Sequence, residues 1–283
     1  MGRTRYALLA LLAAVGFLTT AAGLTATPQS STADFWMSGP PVQGGLVTAR
    51  PPKNTRNVFL NDEALQLSSD GVFLMGFDRD APEQANVVFI LADGSRTARN
   101  ISVAPGDWRI ENVAANMTGG AKSSAEFDAR RSAELARINA ARALSRESNG
   151  WRQKFIRPVA GRISGLFGAQ RVYNGIPGSY HTGMDIAAAS GTAFVAPADG
   201  VVVLAAADAF TLEGHLLMID HGMGLNSAFL HASELLVKEG DVVKQGQIIG
   251  RVGATGRASG PHLHWGMKWN SARIDPKLLL PTF

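Results

Sequence analysis

The sequence has no cysteine among its 283 residues. That excludes disulfides, iron–sulfur clusters, a thiol nucleophile and any cysteine-ligated zinc site. Histidine is scarce, at six, so a bound transition metal has to draw on a short set of His with Asp or Glu. Charged residues are 18% and the net charge is +4, too mild a bias for a nucleic-acid footprint. The glycines of Gly250-x-x-Gly253-x-x-Gly256 are followed by no Gly-Lys-Ser/Thr and no helix, so a phosphate loop is absent as well. Against these absences, 46% hydrophobic residues exclude global disorder. Glycine is abundant, 31 residues or roughly 11% against a usual ~7%, which favours turn-rich β structure over a helical bundle.

The only apolar run approaching the length of a bilayer span is at the start. A basic opening (Arg3, Arg5), an apolar stretch from Tyr6 to Leu18 and small residues from Thr19 to Gly23 follow the order of a secretory signal peptide. Cleavage after Ala22 or Ala26 is expected, the alternative being an uncleaved anchor. Residues 1–26 are therefore read as a signal peptide and the mature chain as periplasmic or secreted. No cysteine follows to carry a lipid. Beyond it, residues 27–120 hold 7 basic and 10 acidic side chains, residues 121–150 hold 6 and 4, and residues 151–283 hold 12 and 9. The carboxy-terminal stretch is mildly suited to an anionic polymer, or is simply a solvated surface.

The organisation predicted is mainly β. Residues 27–44 are rich in Thr, Pro, Ser and Gly and read as a flexible lead-in. Residues 45–120 alternate short apolar runs (57–60, 71–77, 86–91) with Asn61-Asp62 and Asp93-Gly94 turns, as in a small β-sandwich-like accessory domain. It contains no histidine. Residues 121–150 read as a helical linker. Ser123 or Ser124 is placed to cap it, Glu126/Arg130 and Glu134/Arg137 to support its surface, and Asn149-Gly150 to end it. Its apolar positions, Phe127, Leu135, Ile138 and Leu144, form only a loose stripe, too irregular for a coiled coil. Residues 151–283 are β-rich again, with strands expected at 193–196, 200–204, 215–219, 247–250 and 263–267.

All six histidines lie in this last region. His181 and Asp185 are four apart and project to one side in a strand or a helix. His262 and His264 are two apart, so in a strand both rings share a face. Catalytic zinc sites use three protein ligands and an open position. His181, Asp185 and one of the 262/264 pair satisfy that count, leaving the other member of the pair and His231 for proton transfer or oxyanion stabilisation.

Several blocks carry a resemblance. Gly161-Arg-Ile-Ser-Gly-Leu-Phe-Gly168, His181-Thr-Gly-Met-Asp185, 191–200, Ile219-Asp-His-Gly222, Phe229-Leu-His231, Gly253-Ala-Thr-Gly256 and Gly260-Pro-His-Leu-His-Trp265 occur together and in order. Across about residues 157–280 the chain is similar to the lysostaphin/LytM-type zinc metallopeptidases. The resemblance implies a carboxy-terminal antiparallel β-sheet domain (151–283) with Zn2+ in a groove across the sheet. It implies His181, Asp185 and His264 as metal ligands and His231 and His262 as the catalytic pair, with Phe229 in the family's tyrosine position. The implied activity is hydrolysis of peptide bonds in peptidoglycan stem peptides or cross-links by zinc-activated water. The implied partner is peptidoglycan, with no nucleic acid and no membrane contact beyond the signal peptide. The amino-terminal β region resembles the accessory domain of periplasmic members.

The alternative is a non-catalytic cell-wall-binding regulator that activates another hydrolase. Relatives of that kind have lost zinc ligands, and none is lost here. Asn174, seven residues before His181, reads as a turn residue of an Asn-Gly step; in some family members an upstream Asn fills the fourth zinc position. His221 is expected to hold a turn and His215 has no assigned role. Met218, Trp265 and Met267 are expected in the core, and Trp269 either there or at the rim of the groove.

Overall fold

Apolar alternation punctuated by left-handed turns organises the amino-terminal half. The computed structural model describes residues 35–115 and 124–281, so the expected signal peptide, the lead-in up to residue 34 and residues 116–123 lie outside the described residues. Eight strands come first: β1 (Trp36–Met37), β2 (Leu46–Arg50), β3 (Thr55–Leu60), β4 (Glu63–Leu65), β5 (Phe73–Gly76), β6 (Gln84–Leu91), β7 (Arg96–Ser102) and β8 (Ile110–Val113). They give a β1-β2-β5 sheet and a β4-β3-β6-β7 sheet. Val47, Ala49, Phe73 and Met75 of the first and Val58, Leu60, Val87 and Phe89 of the second share one buried core. The Phe73 and Phe89 rings meet edge to face at 6.4 Å. This is the expected sandwich-like region. Asn61 and Asp62 turn β3 into β4 with φ of 47° and 70°, the left-handed pair that a two-residue hairpin requires and that Asn and Asp tolerate.

Helix α1 (Ala125–Ala143) begins as expected, with the Ser124 hydroxyl accepting the Phe127 N–H at 3.1 Å. Two details differ from the sequence pattern. Of the four apolar positions only Ile138 is buried, joined by Glu134 and Ala141. Glu134 is tolerated because Arg130, Arg131 and both the N–H and hydroxyl of Thr211 donate to it. The helix also stops at Ala143, before Asn149-Gly150. The chain is drawn away there as the Arg146 N–H donates to the buried Asp220 carboxylate at 2.7 Å. Gly150 serves a close approach instead, since a Cβ there would collide with the Asp199 carbonyl.

The remaining strands are β9 (Arg162–Gly165), β10 (Gln170–Tyr173), β11 (Ile176–Pro177), β12 (Met184–Ala187), β13 (Ala193–Val195), β14 (Gly200–Ala205), β15 (His215–Asp220), β16 (Leu225–Ala232), β17 (Glu234–Leu235), β18 (Val242–Val243), β19 (Ile248–Arg251), β20 (His262–Trp269) and β21 (Ala272–Ile274). An antiparallel sheet runs β18-β14-β15-β16-β20-β12-β9, with β21 added to β20. The five expected strands are all present. The other eight strands, among them β12 and the eight-residue β16, lie outside that expected set. In β16, Asn226 and Ser227 interrupt the apolar period, yet both are buried. Ser227 belongs there because its hydroxyl meets His221 Nε2 at 2.7 Å and accepts from the Trp265 indole at 3.3 Å.

The two halves share the same apolar core. β8 adds in parallel to β10, and Trp269, 5% exposed, packs over Gly76, where a Cβ would come within 2.6 Å of its ring. That makes Trp269 a core residue, not a rim one. Met218, Trp265 and Met267 are buried as expected. Asn174 and Gly175 form the β10–β11 hairpin turn, with φ of 46° and 84°. No helix among the described residues is long and apolar enough to cross a membrane.

Candidate metal and catalytic site

Asp185 and His264 face each other across the β12–β20 ladder. Directly opposed residues in an antiparallel pair share a face, and His264 Nδ1 lies 2.9 Å from Asp185 Oδ1. His181, in the loop before β12, closes the triangle. Its Nε2 is 3.1 Å from Asp185 Oδ1 and 3.1 Å from His264 Nδ1. His181 Nδ1 is 2.9 Å from the Leu166 carbonyl, which calls for a proton on Nδ1 and leaves the Nε2 lone pair facing inward.

Two imidazole lone pairs and a carboxylate oxygen in mutual contact repel one another unless a proton or a cation lies among them. Donors about 2.0–2.1 Å from a tetrahedral zinc stand roughly 3.3 Å apart, close to the spacing here. The three residues could therefore hold a metal ion. Without one, protons take its place. Burial disfavours the His181 cation, but the bond to Asp185 and its charge outweigh burial and raise the His181 pKa. Burial lowers that of His264. Asp185 is held well below the usual carboxylate range: burial opposes this, and the two histidines overcome it.

His231 and His262 stand beside the triangle with ring centroids 4.9 Å apart. His262 shares the face of His264, as the two-residue spacing predicts, and its Nε2 is 3.7 Å from Asp185 Oδ1. His231 adopts φ of 65°, a left-handed conformation that costs a non-glycine residue about 1 kcal/mol and ends the regular alternation of β16. Each ring is anchored through Nδ1, to the Thr255 carbonyl for His231 and to the Gly260 carbonyl for His262, at 2.8 Å in both cases. Burial lowers the His231 pKa, so it is neutral at pH 7.

All five sequence-predicted residues are thus brought together. Of the other two histidines, His221 is fully buried and bridges the Asp199 carbonyl and Ser227, and His215 meets the Ala206 carbonyl. Residue chemistry alone missed two glycines. A Cβ on Gly183 would lie 2.6 Å from His264 Nε2, and one on Gly165 would lie 2.5 Å from Asp185 Oδ2. Both sit inside the motif blocks, which was the only available signal.

Residues 179–276 match the model of peptidase family M23. Among curated proteins, the chain is 40% identical over 103 residues to the DD-carboxypeptidase/endopeptidase Mpg of Neisseria meningitidis, covering 36% of this chain and 23% of that one. It is 34% identical over 132 residues to the peptidoglycan DD-endopeptidase ShyC of Vibrio cholerae, covering 47% and 27%. The chain thus spans about a quarter of the length of these relatives. A crystal structure from Pseudomonas aeruginosa, described as a candidate peptidase M23, aligns with TM-score 0.66 at 27% identity over 87% of this chain and 97% of that one.

Proposed function

Since the chain carries a peptidase family M23 domain across residues 179–276, we propose that it is a zinc-dependent endopeptidase hydrolysing peptide bonds of peptidoglycan, in stem peptides or cross-links. The observation that carries this reading is the meeting of three metal donors within 2.9–3.1 Å beside a second pair of histidines. Relatives named as peptidoglycan DD-endopeptidases support the substrate class. The signal-like amino terminus supports action in the periplasm or outside the cell.

His181, Asp185 and His264 would hold the ion, which when bound supplies an acidified water and polarises the scissile carbonyl. The remaining work falls to the histidine pair. His231 commits its Nδ1–H to Thr255, so its Nε2 is free to take a proton. Being neutral at pH 7, it can act as a base without first losing one. His262, anchored in the same way to Gly260, presents its own Nε2 to the same space. One ring takes the proton of the attacking water on its bare Nε2, and the other, whose Nδ1–H is equally committed, donates to the developing oxyanion through Nε2–H in its doubly protonated, imidazolium form.

The test is digestion of purified peptidoglycan by the metal-loaded protein with and without a chelator. New peptide ends are expected without chelator, their loss with it, and recovery on adding zinc. A zinc-loaded protein that generates no new ends favours the cell-wall-binding regulator.

A further inference from the structure

A channel continues past His264. Along β20, His264, Gly266 and Lys268 share one face. Opposite them on β16 stand Leu230, Ala228 and Asn226, and β21 places Arg273 beside Lys268. Helix α1 passes over this floor, with Ile138 and Arg142 among its contributions. Together they enclose a cavity of about 190 Å³ lined from His264 to Lys268. Four residues of strand span about 13 Å, the reach of roughly four extended peptide residues. The middle of the floor is bare: a Cβ on Gly266 would meet nothing closer than 3.7 Å.

The far end of the channel carries an excess of positive charge. Arg142, Lys268 and Arg273 all line it, and none of their side chains forms an ion pair among the described residues. The acids that reach them are engaged elsewhere. Glu213 is gripped by two nitrogens of Arg131 at 2.6 and 2.7 Å. Asp78 accepts the Tyr180 hydroxyl at 3.2 Å and the Arg273 backbone N–H at 2.8 Å. The Arg273 guanidinium lies 5.7 Å from the Tyr180 ring. Burial, and then the charges of Arg142 and Arg273, lower the Lys268 pKa, as expected of an ammonium short of a counter-ion. A second feature is independent of charge. Asn226 lines the same cavity, is 7% exposed, and its Oδ1 accepts no hydrogen bond. A buried acceptor without a donor costs about 1–3 kcal/mol, and a backbone N–H would satisfy it.

We propose that this channel is a substrate subsite in which Lys268, Arg273 and Arg142 bind a free carboxylate of the peptide, about four residues from the bond held at the His181–Asp185–His264 site, while Asn226 accepts a backbone N–H of the same peptide. The assignment rests on the endopeptidase reading above, and it names the substrate as an anionic peptide that is not amidated at that position.

The test compares the full-length, zinc-loaded protein on two otherwise identical cross-linked peptides, one with the free carboxylate and one with its carboxamide. The wild type is expected to cleave the acid about tenfold faster in kcat/KM, the scale of one charge-assisted hydrogen bond, and added salt should reduce that preference. Lys268→Met is expected to bring the acid-to-amide ratio toward one with zinc content unchanged. Arg273→Gln, at an exposed position, provides the same readout if the first variant does not fold. A wild-type ratio near one, or a ratio unmoved in the folded variants, overturns the subsite and leaves the endopeptidase reading standing. Cleavage of neither peptide nor intact peptidoglycan overturns that reading, and the subsite with it.

Discussion

Arg79, in the amino-terminal half, donates its Nε–H at 3.0 Å to the carbonyl of Gly168, 89 residues further along the chain. From there the connection runs directly to the candidate metal site. The Gly168 N–H donates to the His181 carbonyl, and the His181 N–H donates to the Ala169 carbonyl, both at 2.8 Å. Arg79 also reaches Gln170 Oε1 at 2.9 Å and lies 4.8 Å from the Tyr180 ring. With 6% exposure, it braces the loop that presents His181. A region with no histidine of its own thereby enters the site as a support.

Arg79→Ala should consequently weaken zinc binding, although the substituted atom touches no ligand. Loss of an outer-shell partner usually costs 10–100-fold in metal affinity or activity. Competition against a chelating dye measures it. An Arg79→Ala protein that remains folded and binds zinc as tightly as wild type would limit Arg79 to joining the two halves.

The division of roles between neighbouring histidines can be read from metal content. His264→Ala removes one donor of the triangle and should leave the purified protein without stoichiometric zinc. His262→Ala and His231→Ala leave the triangle intact. They should retain about one zinc per chain and lose about 10²–10⁴-fold in activity, the usual contribution of a positioned acid or base. Elemental analysis of the three proteins decides the matter, and a metal-free His231→Ala would reassign that residue as a ligand.

The sequence made some of this site legible and hid the rest, for identifiable reasons. Residue type and period two place His262 and His264 on one face of β20, and four-residue spacing brings His181 and Asp185 to one side. The pairing of Asp185 with His264 is a matter of strand register between segments 79 residues apart, which local pattern does not encode. His231 is harder still. Strict alternation along β16 would set it on the face of the buried Phe229, and it reaches His262 through a left-handed φ at the strand end. The core strand itself is masked in the sequence because Asn226 and Ser227 interrupt its apolar run. In the helix, the buried face holds Ile138 beside a carboxylate satisfied by two arginines and a threonine, which an apolar stripe does not mark.

The pH dependence of stability should carry a signature of His221. Complete burial, partly offset by the Asp199 carbonyl, lowers its pKa to about 4 from 6.5. The folded protein thus resists a proton that the unfolded chain accepts between these values. This contribution is fully present above pH 6.5, declines as the pH falls, and levels off below about 4. Its full extent is about 3 kcal/mol. Urea unfolding at pH 7 and pH 4.5 should show a larger acid destabilisation for the wild type than for His221→Gln, which has no ring to protonate. Equal losses in the two proteins would mean that other groups set the acid limit.

Two glycines give the strictest steric test of the site. Gly183 lies where an added methyl would come within 2.6 Å of both His264 Nε2 and the Trp265 carbonyl. Neither can yield easily, because His264 is 8% exposed and Trp265 is fully buried, and close-packed interiors transmit such strain instead of absorbing it. In Gly183→Ala the imidazole of His264 must rotate or shift, separating its Nδ1 from Asp185. Gly165→Ala presses on the other partner, at 2.5 Å from Asp185 Oδ2. Both variants should lose at least tenfold in zinc affinity, the scale of a disturbed ligand orientation. Gly39→Ala, where a Cβ would meet nothing within 4 Å, should bind zinc as the wild type does. Normal zinc affinity in Gly183→Ala would show that the loop carrying His181 is softer than its contacts indicate.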